Sequence, residues 1–165
     1  MSNDSHLSDL LLALDYFPMD EDTPDDLLPF MGFLIAKAAQ TIVETVDESM
    51  ASFGISSRHY GVMLMLSRHD GLPQVAVGEK LRIDRTTMVK LVDDLEKQDL
   101  VERRRDPHDR RAYALSLSEK GREMLPEISR RAVEVERASL ASLKQDEIRQ
   151  LFRILLKLVK GTRTT

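Results

Sequence analysis

Between residues 85 and 117 the spacing of apolar side chains changes period, and few folds accommodate that change. Met88, Leu91, Val92 and Leu95 stand at offsets 0, 3, 4 and 7, the stripe of a helix with one buried face, so Arg85–Gln98 is expected to be helical. Asp84, just ahead of it, has the chemistry of an N-cap. Leu100–Arg104 then reads as a strand, Asp106, Pro107, His108 and Asp109 form a turn cluster, and Tyr113, Leu115 and Leu117 alternate as a second strand. The result is a helix that ends at the foot of a β-hairpin, with Arg103, Arg104, Arg105, Arg110 and Arg111 gathered around the hairpin tip.

The surrounding segments read as helices. From about Asp25 to Ser52 a long helix is expected, with Pro29 in or near its first turn, where a missing N–H costs little, and Gly54 as its stop. Ser56 or Ser57 can cap the next helix, whose apolar stripe is Tyr60, Met63, Leu64 and Ser67. Gly71, Leu72 and Pro73 break it; a short helix, Gln74–Leu81, and the turn Arg82–Ile83 follow. Downstream, Ser118 caps a helix that runs to about Ser139, with Glu119 suited to the helix dipole and Pro126 expected to kink it locally. Ser142 through Gln145 has a capping-box pattern that opens a last helix to about Lys160. Leu151, Phe152, Ile154, Leu155, Leu156, Leu158 and Val159 cover more than one stripe of that helix, so it needs burial on more than one side. In a chain this small, the surface available for that is a second subunit.

The organisation is therefore an acidic extension (1–24) with a short amphipathic helix at Leu7, Leu10, Leu11, Leu14 and Phe17, a dimerisation helix (25–53), a central lobe (54–118), C-terminal dimerisation helices (119–160) and a tail (161–165). Composition removes several functions. There are no cysteines, which excludes disulfides, thiolate metal sites and thiol redox sensing. His6, His59, His69 and His108 are scattered without a ligand pair, and no phosphate loop or catalytic order is recognisable, so neither metal, cofactor nor enzyme activity is expected. No secretory signal or membrane-length apolar run is present, and a soluble, cytoplasmic protein without membrane contact is expected. The net charge of −4 is unevenly placed: residues 1–26 hold eight of the 28 acids and no base, leaving 24 bases against 20 acids in the remainder.

Three short helices followed by a hairpin is the order of a winged helix-turn-helix, a mainly α fold with a small β-hairpin wing. The exposed face of Arg85–Gln98 offers Arg85, Thr86, Thr87 and Lys90 in its first half, the part of a recognition helix that reaches base edges in the major groove. Asp93, Asp94 and Glu96 lie further along, with Lys90–Asp94 and Asp93–Lys97 spaced as i,i+4 ion pairs. In the hairpin, Arg104, Arg105, Arg110 and Arg111 form a natural insert for a minor groove, with Asp109 placed to brace Arg111. Against this stand two other readings: a solvated amphipathic surface, and a winged-helix module that binds protein instead of DNA.

The run IDRTTMVKLVDDLEKQDLVERRRDPHDRRAYALSLSEKG resembles the MarR family (multiple antibiotic resistance regulator) from about Gly54 to Gly121. DPHDRR resembles that family's wing signature, an acid two residues before an arginine, here Asp109 and Arg111; LSEKG resembles its entry into the first dimerisation helix. Lys90 stands where many members have arginine, and the acidic start is longer than a typical member's. The resemblance implies a homodimer on a near-palindromic operator in double-stranded DNA, acting most often as a repressor and associated with the nucleoid when bound. It also implies a small aromatic or anionic ligand, for which Phe33, His59, Tyr60 and Met63 are candidate contacts as well as candidate core residues.

Overall fold

A computed structural model describes residues 31–105 and 113–161. The chain divides between Val43 and Glu44 into two units. Of the first, the described part is the start of helix α1 (Met31–Met50), which exposes Met31, Leu34, Ile35 and Val43.

The second unit begins with the rest of α1, closed by the 3-10 turn Ala51–Phe53 and by Gly54 in the left-handed region at φ 69°. It continues through α2 (Ser57–Arg68), β1 (Leu72–Pro73), α3 (Gln74–Leu81), α4 (Arg85–Lys97), β2 (Val101–Arg105), β3 (Tyr113–Leu117), α5 (Glu119–Ser139) and α6 (Gln145–Gly161). The sheet is antiparallel in the order β1-β3-β2, with Val101 opposite Leu117 and Arg103 opposite Leu115. One core joins the elements from the end of α1 through α5, and Met63, Leu66, Met88, Leu95, Leu100, Leu115 and Ile128 are among its fully buried side chains. Among the described residues no helix is long and apolar enough to cross a membrane.

The α4 stripe is buried as its period requires: Met88, Leu91, Val92 and Leu95 all face the core. Several neighbours depart from expectation. On α2 the buried side chains are Val62, Met63 and Leu66; Leu64 is only half-buried and Ser67 is exposed. That helix packs on α3, α4, α5 and β3 together, so its buried face is set by several neighbours and is centred elsewhere than a single stripe suggests. Gly71–Pro73 does more than break a helix. Gly71, at φ 72°, donates its N–H to Leu115 O at 3.0 Å, and Leu72–Pro73 adds a third strand too short to show a period. The second hairpin strand does not alternate in burial, because β3 is the middle strand and the small Ala114 and Ser116 are covered along with Leu115 and Leu117. Strand β2 starts at Val101, one residue late, because Leu100 is used to finish α4: its N–H bonds Leu95 O at 2.9 Å across Asp99, held at φ 58°.

Helix α5 runs unbroken through Pro126. Its start is locked to the foot of the hairpin. Ser118 Oγ accepts the Gly121 N–H at 2.9 Å and donates to Asp99 O at 2.6 Å, while Ser118 N–H donates to Leu100 O at 3.1 Å. The last helix is capped two residues later than Ser142–Gln145 suggests: the Glu147 carboxylate accepts the Lys144 N–H at 2.7 Å, so Lys144 is the turn's entry residue.

The α5–hairpin junction yields a sharp expectation. A Cβ on Gly121 would lie 2.0 Å from the Leu100 carbonyl oxygen, a backbone atom that cannot step aside without moving the hairpin. Gly121→Ala should therefore destabilise the protein by about 3 kcal/mol or more in urea unfolding, at or above the upper end for overpacking. Gly61→Ala, on α2 with nothing within 4 Å of the new methyl, should gain roughly 0.5–1 kcal/mol from helix propensity. Equal effects at the two positions would remove the proposed contact.

Candidate nucleic-acid interface

Helix α4 is started by a side chain instead of backbone. Asp84 Oδ1 accepts the Thr87 N–H at 3.0 Å, and Oδ2 accepts the Thr87 hydroxyl at 2.6 Å. The Thr87 hydroxyl and N–H together hold the Asp84 carboxyl below the usual carboxylate range. Thr87 is thus half-buried with its hydroxyl engaged in the cap, whereas Arg85, Thr86 and Lys90 are exposed on the opposite face. Ahead of it, α3 and α4 approach closely: a Cβ on Gly78 would meet Ile83 O at 3.2 Å and Met88 Cγ at 3.6 Å. This short α3–turn–α4 corner holds α4 with Arg85, Thr86 and Lys90 outward.

The hairpin is tied to α4 by one arginine. Arg103 Nη1 lies 2.7 Å from Asp93 Oδ1 and also pairs with Glu96; its Nε donates to Gln74 Oε1 at 3.2 Å, and its backbone N–H donates to Glu96 Oε1 at 3.2 Å. The Arg103 side chain is 21% exposed, so its charge is largely withdrawn from water and is held by carboxylates that are themselves partly exposed. The acids of α4 consequently form other pairs than the i,i+4 spacing suggests: Asp93 goes to Arg103, and Asp94 to Lys97 at 2.9 Å. Cross-element geometry outcompetes the weak surface pairs of a lone helix. Arg104 is exposed and paired with Glu102. Asp109, Arg110, Arg111 and the side chain of Arg105 lie outside the described residues.

Arg103 as a strut, rather than one more tip arginine, was legible in the strand period. It stands two residues after the buried Val101 and so shares its face. Its partners Asp93, Glu96 and Gln74 carried no such signal, since they are assembled from two other elements. Between α3, α4 and the hairpin foot lies a cleft of about 930 Å³, lined by Val75, Glu79, Arg85, Val89, Arg103 and Tyr113 among others.

The candidate ligand residues fall in different places. Phe33 is half-buried in the first unit. Met63 is fully buried in the core of the second, and Tyr60 packs against that core half-buried. His59 closes the α2 capping box: its Nδ1 accepts the Ser56 N–H at 3.0 Å and lies 2.7 Å from Ser56 Oγ. Beside it, Asp47 Oδ1 accepts the Ser57 N–H at 2.6 Å, so the end of α1 satisfies the start of α2. His59 Nε2 is buried without a hydrogen-bond partner, 3.9 Å from Asp94 Oδ2 on α4.

Residues 53–112 match the family model described as MarR family. A putative transcriptional regulatory protein for the hcr operon of Thauera aromatica is 29% identical over 107 residues, which span 65% of this chain and 64% of that protein. The repressor MdtR of Bacillus subtilis is 24% identical over 140 residues, 85% of this chain and 90% of that one. Among solved structures, the PcaV transcriptional regulator of Streptomyces coelicolor in complex with its natural ligand superposes with a TM-score of 0.73 at 27% identity, covering 85% of this chain and 99% of that one.

Two expectations follow from the charged contacts. Removing Arg103 strands Asp93 and Glu96 beside the hairpin, so Arg103→Gln should cost roughly 1.5–3 kcal/mol in urea unfolding, the scale of hydrogen bonds to a charged group. Arg104→Gln, on the exposed neighbour, should cost well under 1 kcal/mol. For His59, burial pulls the imidazole pKa below 6.5, opposed by the smaller attraction of Asp94 and Asp47. The folded state thus favours the neutral ring. The unfolded chain takes up the proton first as pH falls, so this stability is complete above about 6.5 and is lost as pH drops toward the folded value. Between pH 7.5 and 5.5, His59→Gln should lose less of its urea midpoint than the parent; equal losses would dismiss His59 as the titrating group.

Proposed function

We propose that this chain, whose residues 53–112 match the MarR family, is a transcription regulator that binds DNA and acts as a homodimeric repressor of a near-palindromic operator, released by a small ligand. The observation that carries the reading is the pairing of the outward side chains Arg85, Thr86 and Lys90 with a hairpin braced to the same helix by Arg103. Phosphate and groove contacts need several cations held at fixed separations, and the brace supplies that fixity. In this reading Arg85, Thr86 and Lys90 meet the major groove, Thr87 organises the helix start, and Arg104, Arg105, Arg110 and Arg111, with Asp109 as brace, meet the flanking minor groove.

Dimerisation is supported by α6. None of its residues is buried, and Leu151, Phe152, Ile154, Leu155, Leu156 and Leu158 are exposed together, with Phe152 at 66%. Apolar surface of this extent in water favours a partner, and a second copy is the occupant that also doubles the recognition helices. Two such helices would enter successive major grooves roughly 34 Å apart. Repression is supported by the Bacillus relative, which is named a repressor, and ligand release by the PcaV structure, which holds its natural ligand. A ligand acts by binding one dimer arrangement better than the other. The protein has no catalytic role in this reading and works in the cytoplasm on the nucleoid.

Selection of bound fragments from a genomic library tests the whole reading. The selected duplexes should contain inverted half-sites one helical turn apart, and sedimentation at micromolar concentration should give twice the chain mass. Raising salt from 50 to 200 mM should weaken operator binding by at least 10²-fold, in line with several released counterions, and Lys90→Ala should weaken it further at either salt. Weak salt dependence with no enriched duplex would favour the protein-binding module instead.

A further inference from the structure

The outward face of α4 is not uniformly polar. Val89, one turn on from Arg85 and Thr86, is 38% exposed, although its neighbours Met88, Leu91 and Val92 are buried. A β-branched residue is below average for helix formation, and the part of Val89 left exposed gains nothing from the core, so an apolar surface stays open on this face. With the Thr87 hydroxyl committed to Asp84, the side chains that α4 can offer outward in its first two turns are Arg85, Thr86, Val89 and Lys90.

Resting on the DNA-binding reading above, we propose that Val89 reads the 5-methyl group of one thymine in each half-site and is a specificity determinant of this protein. In the major groove every base pair presents hydrogen-bonding groups, but only thymine presents a methyl. Val89 has neither donor nor acceptor. Packed against thymine it removes apolar surface from water on both partners; packed against the C4 amino group of cytosine or the O6 and N7 of guanine it strips water from a polar edge and replaces it with nothing. Attraction to one base and exclusion of the others therefore come from the same side chain. Arg85 and Lys90 lie on either side of it in the chain, and their positive charge draws the duplex to this part of the helix. Val75 is a second exposed aliphatic residue of the same cleft, at 65%, but it stands on the first turn of α3. The first helix of a helix-turn-helix crosses the backbone, so Val75 is not placed to meet a base.

The test uses the full-length protein and a duplex recovered by the selection above, with each thymine replaced singly by deoxyuridine, which removes the methyl and leaves every hydrogen-bonding group. Parent, Val89→Ala and Val75→Ala are titrated on each duplex. One thymine per half-site should weaken the parent about fourfold on replacement, the worth of one methyl returned to water. Val89→Ala should bind the unmodified duplex less tightly than the parent and be indifferent to that replacement, while Val75→Ala should keep the full penalty. If no deoxyuridine weakens the parent, or if Val89→Ala retains the penalty, the thymine contact is wrong while the regulator reading stands. If no duplex is enriched or bound, both fall together.

Discussion

Burial of Met88, Leu91, Val92 and Leu95 decides what the rest of the lobe can do. Those four side chains are on one stripe, and the core accepts no rotation of α4 that would leave them wet. Burying four large apolar groups is worth several kcal/mol, more than any single polar contact on the opposite face. Arg85, Thr86, Val89 and Lys90 are therefore outward because of what is inward. The Asp84 cap and the close approach of α3 at Gly78 then set where the helix begins.

The hairpin adds a second constraint, electrostatic in kind. Arg103 points back to α4 and α3, with Asp93, Glu96 and Gln74 around it, and its low exposure makes those partners necessary. The acids of α4, which in an overall count weigh against nucleic acid, are in fact consumed at the hairpin foot and at Lys97. A net charge of −4 thus says little about the field at the Arg85–Lys90 face, since eight of the acids stand in residues 1–26 and several others are paired locally. The Leu100–Ser118–Gly121 junction fixes the other side of the hairpin to α5. Together they make the hairpin foot a rigid extension of the helix it follows.

Much of this was readable along the chain. The α4 stripe, its Asp84 cap, the limits of α3, the Ser118 cap and the end of α5 at Ser139 follow from local periods and capping chemistry, which act within a few residues. The misreadings have a common cause. The α2 face, the third strand at Leu72–Pro73, the burial of Ala114 and Ser116, and the redirected partners of Asp93 and Asp94 all depend on neighbours far away in sequence. The cap of α6 moved from Ser142 to Lys144 for a different reason: two overlapping acid or amide patterns compete there, and Glu147 reached the free N–H.

The sequence by itself determined the fold class, the order of elements and the family resemblance, because period, cap and turn chemistry are local and the hairpin signature is contiguous. Only the tertiary structure decided which polar groups are available. Thr87 is engaged by Asp84, Arg103 by three side chains from two helices, and His59 by the α1–α2 junction, whereas Val89 remains outward. The physical reason is that a side chain's availability depends on who else can reach it. That is fixed by packing of distant elements, where one half-buried, partnered charge or one committed hydroxyl outweighs any preference the residue carries alone.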